Sequence, residues 1–242
     1  MNKKYSKLRK DRSGAQILDM LYCMSYCFKN NIEYGGAWTN IKKVRNTKMI
    51  PNTIKLCKLL NIPKPLINGD KRFLNNIILD EVYHPKDDYN KIFDDNFRNY
   101  LINNMKNNLI KVKEDNDFLV AIHIRRGDVR KDNRWSFRYT PNEYYINVIK
   151  KILEKYKNAK IHVFSQSDSQ ENFNEFIKLG CFLHLDSELV EIWNYFIQSD
   201  ILVLASSAFS IVPAILNENK IIYIWNKYFK PLKNWITDIN EI

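Results

Sequence analysis

The sequence predicts an α/β protein with a parallel sheet, and three observations predict it. Short apolar, β-branched runs recur through the second half of the chain. Segments with helical spacing of apolar residues lie between them. The first of these runs stops at a polar turn that contains glycine. A length of 242 residues, 45% hydrophobic and 27% charged, gives room for one large domain or two smaller ones.

Taken in order, residues 14–30 read as an apolar helix that opens on a tight glycine-containing turn, and residues 31–34 as a strand after it. Residues 51–60 read as a short helix. Residues 87–110 carry Tyr89, Ile92, Phe93, Phe97, Tyr100, Leu101, Met105 and Leu109, a spacing that predicts one long amphipathic helix. The first ten residues read as a basic, disordered tail. A charged stretch at 112–117, KVKEDND from Lys111, places a domain boundary there and predicts an N-terminal domain of 1–116 and a C-terminal one of 117–242.

The second half is more regular. Residues 118–124 (FLVAIHI) read as a buried parallel strand. Thr140-Pro141-Asn142-Glu143 reads as a capping box with proline at the first helical position. It opens a helix to about Tyr156 whose apolar face holds Tyr144, Tyr145, Val148, Ile149 and Ile152. Strands follow at 160–165, 181–185, 201–205 and 221–225, and helices at 169–179, 188–198 and 209–217. This alternation is that of a Rossmann-like domain with crossover helices.

Composition narrows the function. No run of eighteen apolar residues exists, so a membrane span is excluded, and no apolar leader follows the basic start. Four cysteines, scattered at 23, 27, 57 and 181, do not make a disulfide framework, so a cytoplasmic location is expected. The net charge is +11, with 22 Lys and Arg against 13 Asp and Glu in residues 1–117 and 16 against 14 in the remainder. Such a surplus invites nucleic acid, but the basic residues are dispersed among Asn and Asp, and no face of clustered arginines and aromatic platforms is visible in the sequence. A solvated surface or an anionic small ligand is the expectation.

The chemistry concentrates at His123-Ile124-Arg125-Arg126-Gly127-Asp128, where the first parallel strand runs out. Ligands of open α/β sheets bind at that edge, guanidinium grips phosphate as a fork, and glycine permits a sharp turn. Two plainer readings stand beside this one: a surface ion pair between Arg126 and Asp128, and a core role for His123. Arg130, Arg134 and Arg138 fit either solvation or an anionic acceptor, and Trp135 fits either sugar stacking or packing. His84, His162 and His184 have no partner visible in sequence. Cys23 and Cys27 share a helix face, but no second ligand pair accompanies them. No Asp-x-Asp sits at a strand–loop junction suited to a divalent ion, and the Asp87-Asp88 pair reads as a helix start; no metal site is expected.

These residues resemble a known family. HIRRGD matches the H-x-R-x-G-D signature of the superfamily that holds α1,2-, α1,6- and protein O-fucosyltransferases. Further segments agree in order: Glu143-Tyr144-Tyr145, Val163-Phe164-Ser165-Gln166-Ser167-Asp168, Glu191-Ile192-Trp193, Ser206-Ser207-Ala208-Phe209-Ser210 and Asn219-Lys220-Ile221-Ile222-Tyr223. At the other end, Ser13-Gly14-Ala15-Gln16 is similar to the family's Gly-x-Gly-Asn-Gln turn, with Ala15 where the family has Asn. The set is most similar to the α1,2 branch.

The resemblance implies a GT-B arrangement: two Rossmann-like halves with GDP-fucose in the interdomain cleft, inverting transfer to a glycan or glycoconjugate, and neither metal nor cofactor. It implies Arg125 as the catalytic donor to the leaving phosphate. Gly14, Gln16, His123, Arg126, Asp128, Ser165, Asp168, Glu191, Ser207, Phe209 and Ser210 join Arg125 in binding the donor. Guanine recognition falls to His123 and Glu191, and any base to residues 11–16 (Asp11 lying nearest) or to the 128–138 loop. A non-catalytic GDP-sugar or glycan-binding module with the same fold is the alternative.

Overall fold

In the computed structural model, the described residues are 3–39, 49–67, 88–168 and 171–242. The chain divides into two compact units, Met1–Leu109 and Ile110–Ile242.

The first unit holds a three-stranded parallel sheet, β1 (Lys3–Lys7), β2 (Glu33–Thr39) and β3 (Leu66–Ile67), in that order. Residues 3–7 are therefore not the disordered tail that their charge suggested. Tyr5 and Ser6 are buried, the Ser6 hydroxyl bonds Tyr34 at 2.7 Å, and Lys3 pairs with Glu33 at 2.5 Å. The Tyr5 ring lies so close to Gly35 that a Cβ there would stand 2.3 Å from it, which is why β2 carries glycine at that point.

Helix α1 (Ser13–Lys29) buries Ile17, Met20, Leu21 and Tyr22, and α2 (Ile50–Leu60) packs on it. Gly14 lies inside the first turn of α1, not in a turn that precedes the helix. The single helix expected over 87–110 is two helices, α3 (Tyr89–Ile92) and α4 (Asp95–Met105), followed by a 3-10 turn at Lys106–Asn108. Asp94 is extended and its carboxylate accepts from the Phe97 amide, so a second N-cap interrupts the apolar periodicity. Asp88 caps α3 in the same way, through Asn90. The aromatic residues still form one face: the Tyr22 ring meets Tyr89 and Phe93 at a tilt, and Phe28 meets Phe97 in the same way.

The second unit is a five-stranded, all-parallel sheet made of β4 (Phe118–His123), β5 (Ala159–Ser165), β6 (Phe182–Leu185), β7 (Ile201–Val203) and β8 (Lys220–Ile222). Their order is β6-β5-β4-β7-β8. The helices between them are α5 (Asn142–Lys155), α6 (Asn174–Lys178), α7 (Leu189–Gln198) and α8 (Ala208–Leu216). Residues 110–113 belong with this unit: the Ile110 amide donates to Asn194 at 2.7 Å and Lys113 pairs with Asp200 at 2.6 Å.

Two helix starts differ from expectation. Helix α5 begins at Asn142 with no side-chain cap, because Pro141 is itself the extended N-cap residue and the residue before a proline is driven out of the helical region. Helix α6 is confined to Asn174–Lys178; the Asn172 side chain accepts from the Asn174 amide just ahead of it, and Ser169 lies outside the described residues.

Candidate functional site

The strand order places a topological switch between β4 and β7. From β4 the chain moves outward through β5 and β6, then returns to lay down β7 and β8 on the other side. The loops after β4 and β7 diverge there and leave a crevice at the carboxyl edge, the usual ligand position in such sheets. The signature loop follows β4 and the serine loop follows β7, so both sequence motifs arrive at one place.

Arg125 joins the two. Its Nη1 donates to Ser207 Oγ at 2.9 Å and its Nη2 pairs with Asp128 at 3.0 Å. Its Nε is buried and has no hydrogen-bond partner among the described residues. Gly127, at φ +78°, makes the turn between Arg125 and Asp128 possible; a side chain there would also meet the Gln166 amide.

His123, the last residue of β4, is buried against Phe196 of α7 and Phe209 of α8. Burial, reinforced by the charges of Arg125 and Arg126, pushes its pKa down to about 3, so the ring is neutral. Its Nδ1 likewise has no hydrogen-bond partner among the described residues, nor has the indole Nε1 of the wholly buried Trp193, whose ring lies near Phe209.

Arg126 points the other way and is 1% exposed. It pairs with Glu171 at 2.9 Å, donates to the carbonyls of Arg125 and Thr140 and to the Asn142 side chain, and lies over the Tyr139 ring. The expected Arg126–Asp128 contact is replaced by Arg125–Asp128, because Arg126 is committed to anchoring the loop that leads into α5. Both of its terminal nitrogens donate within the protein and its Nε lies against Glu171, so it supports the site from beneath.

Ser207 caps α8 through the Phe209 amide. Ser210 is fully buried, and among the described residues its hydroxyl bonds the backbone of Ala205 and Ser207. Its part is to hold the turn in shape. Ala208 is the first residue of α8 and leaves the cap intact.

Ser165 ends β5 and is buried, with its hydroxyl on the Gln166 carbonyl. The Asp168 carboxylate, 1% exposed, lies 3.3 Å from Arg130, so Arg130 is an ion-pair partner and not simply solvated. Glu191 is exposed on the first turn of α7, where its charge acts on His184 of β6, whereas His123 meets α7 five residues later at Phe196. The structure does not join Glu191 to His123 by a hydrogen bond or ion pair.

His162 and His184 do have partners: each other, Nδ1 to Nε2 at 2.9 Å, between the Phe164, Phe182 and Tyr195 rings. His84 and Asp87 lie outside the described residues. In the first unit, Gln16 is buried and donates to the Arg9 carbonyl at 2.9 Å while accepting from Thr53. Asp11 accepts from the Arg12 amide and lies 3.4 Å from Arg9.

Among the described residues no three His, Cys, Asp or Glu side chains converge as a metal site, and no helix is long and apolar enough to cross a membrane.

No curated protein sequence matches the chain. Among solved structures, E. coli heptosyltransferase WaaC with ADP-2-deoxy-2-fluoro heptose aligns at TM-score 0.54 and 8% identity, over 98% of this chain and 92% of that one. WaaC with ADP aligns at 0.52 and 10%, with the same coverage. POFUT1 in complex with GDP aligns at 0.47 and 10%, over 97% of each. The WaaC likeness is one of fold, the α/β architecture with parallel sheets of the GT-B glycosyltransferases. A family match is carried by sequence: residues 79–234, which include the signature loop and the serine loop, match glycosyl transferase family 11, the α1,2-fucosyltransferase family, and the chain belongs to it.

Proposed function

We propose that the protein transfers fucose from GDP-fucose to a hydroxyl of a glycan or glycoconjugate with inversion and without a metal. Arg125 carries this reading: a guanidinium held by Ser207 and Asp128 at the switch point of a parallel sheet, with no hydrogen-bond partner for its buried Nε among the described residues. An arginine fixed in this way is suited to the diphosphate of a nucleotide sugar and to the charge that grows on it as the glycosidic bond breaks. The neutral His123 and the N-terminal turn of α8 flank it, and the helix dipole favours the same anion. Ser165 and Glu191 lie at neighbouring strand and helix ends of the same edge, and we assign them to the guanine base, whose adjacent N–H groups a carboxylate accepts together.

The test is GDP release from GDP-fucose in the presence of EDTA, with and without a panel of oligosaccharides. Acceptor-dependent release with product formation supports the reading. Release that requires an added divalent ion overturns the metal-free mechanism, and tight GDP binding with no transfer to any acceptor favours a binding module.

A further inference from the structure

Outside the donor edge, the loop after Asp128 and the segment after β8 bring together a set of cations and rings that the linear sequence disperses. The Arg138 guanidinium lies 5.1 Å from the Trp135 ring centre, 5.4 Å from that of Phe137 and 4.9 Å from that of Tyr228. Arg134 lies 4.9 Å over Trp135, and Lys227 lies 5.8 Å from Phe137 and 6.0 Å from Tyr228. Phe137 and Tyr228 are each 41% exposed. The clustered arginines and aromatic platform absent from the linear sequence are thus assembled in space.

Among the described residues, none of Arg134, Arg138 and Lys227 has a carboxylate within ion-pair distance. Asp128 is committed to Arg125, and Asp132 makes no ion pair with the three. Three like charges gathered around the rings repel one another, and an anion set among the three cations relieves that repulsion. The platform is coupled to the donor arginine through a short chain of contacts. The Trp135 amide donates to Asn133 at 2.9 Å, Asn133 donates to the Asp128 carbonyl at 2.9 Å, and Asp128 holds Arg125 at 3.0 Å.

We infer that this platform docks an acceptor glycan that carries a carboxylate, with the rings of Phe137 and Tyr228 against a sugar face and Arg134, Arg138 and Lys227 around the acid group. The inference rests on the fucosyltransferase reading above and narrows its acceptor class. Sugar faces present C–H groups that pack on aromatic rings, and guanidinium accepts a carboxylate as a fork.

The experiment is a titration of the whole chain, without donor, followed by tryptophan fluorescence. The probes are a hyaluronan tetrasaccharide, which is acidic, and chitotetraose, its neutral counterpart. Expected is binding of the acidic sugar at least about tenfold tighter, a preference that shrinks as salt is raised. Replacing both exposed cations (Arg134→Gln with Lys227→Gln) abolishes the preference, whereas Phe137→Ala weakens both sugars. Equal affinities, no saturable response to either sugar, or a preference that survives the double substitution overturns the inference. So does a thymidine oligonucleotide that binds more tightly and displaces the acidic sugar, which identifies a single-stranded nucleic-acid surface. Calorimetry with GDP on the same preparations separates the two readings. Intact GDP binding with no acidic preference removes this inference alone, and acidic preference without GDP binding removes the donor reading alone.

Discussion

Arg125 Nη1 and Ser207 Oγ meet at 2.9 Å across the β4–β7 switch point, which ties the signature loop to the cap of α8. One hydroxyl thus serves two purposes. It accepts from the arginine and from the Phe209 amide, so the guanidinium is positioned by the same contact that starts the helix.

Arg125→Lys keeps the charge but loses the fork that reaches Ser207 and Asp128 together. The expected loss in kcat is about 10²–10³-fold, with weaker GDP binding. Steady-state kinetics and calorimetry check it, and a lysine variant with near-normal turnover removes Arg125 from its role.

Ser207→Ala takes away both functions of the hydroxyl. Loss of the cap is expected to cost about 1 kcal/mol of stability. The untethered Arg125 should lower kcat in addition. Ser210→Ala is the comparison: its hydroxyl is buried on the backbone, so it should reduce stability while a folded preparation keeps its affinity for GDP. Thermal melts beside GDP titrations distinguish the two.

Arg126 is expected to behave unlike its neighbour. Replacing it with Met leaves Glu171, whose side chain is 11% exposed, without its cation. Breaking such a buried pair costs about 3–5 kcal/mol, so loss of folded protein should come before any specific kinetic defect. Adding Glu171→Gln should recover part of the stability in urea melts. A fully stable single variant with crippled turnover would instead give Arg126 a direct part in the chemistry.

The strand–helix alternation of the second unit was legible because each strand is a short apolar run and each crossover keeps helical spacing. The site motifs were legible for the same reason, since they sit where those runs stop. Side-chain direction was legible in part. Alternation along a strand already sets Arg126 on the side opposite Arg125, but its partner was hidden: Glu171 lies 45 positions after Arg126 and is invisible as a partner in the sequence. In the first unit, Lys3–Lys7 looked like a tail because its burial depends on β2, and Asp94 looked like a surface residue in a long helix although it caps a new one. The aromatic–cationic platform was hidden because its two halves, 134–138 and 227–228, are distant in the chain.

Acid sensitivity follows from His123. Its folded pKa is depressed to about 3 from an ordinary 6.5, so the unfolded chain binds the proton more readily. The contribution is complete above about pH 6.5 and is lost as the pH falls towards 3, at up to about 1.4 kcal/mol per pH unit for this one group. His162, pushed down to about 4 by burial and by the neighbouring His184, acts in the same direction. Urea melts at a series of pH values should show stability falling through this window and less so for His123→Asn; equal pH dependence in the variant removes His123 as the cause.

The base that takes the acceptor proton must be reachable from the donor sugar, and two carboxylates differ in how they are held. Asp11 is exposed, bonded to the Arg12 amide and close to Arg9, contacts that account for it as a surface residue at the start of α1. Asp128 is fixed on Arg125 at 3.0 Å, within the signature loop. A general base has to lie within hydrogen-bond reach of the hydroxyl it serves and typically contributes about 10²–10⁴-fold. Asp11→Asn is therefore expected to leave kcat within a few-fold and the acidic limb of the pH–rate profile in place. Asp128→Asn should lower kcat by about 10²-fold or more, partly by releasing Arg125. The two effects of Asp128 separate in GDP affinity: release of Arg125 weakens it, whereas loss of a base alone does not. If Asp11→Asn removes the acidic limb while GDP still binds normally, the base is Asp11 and not a carboxylate of the 128–138 loop.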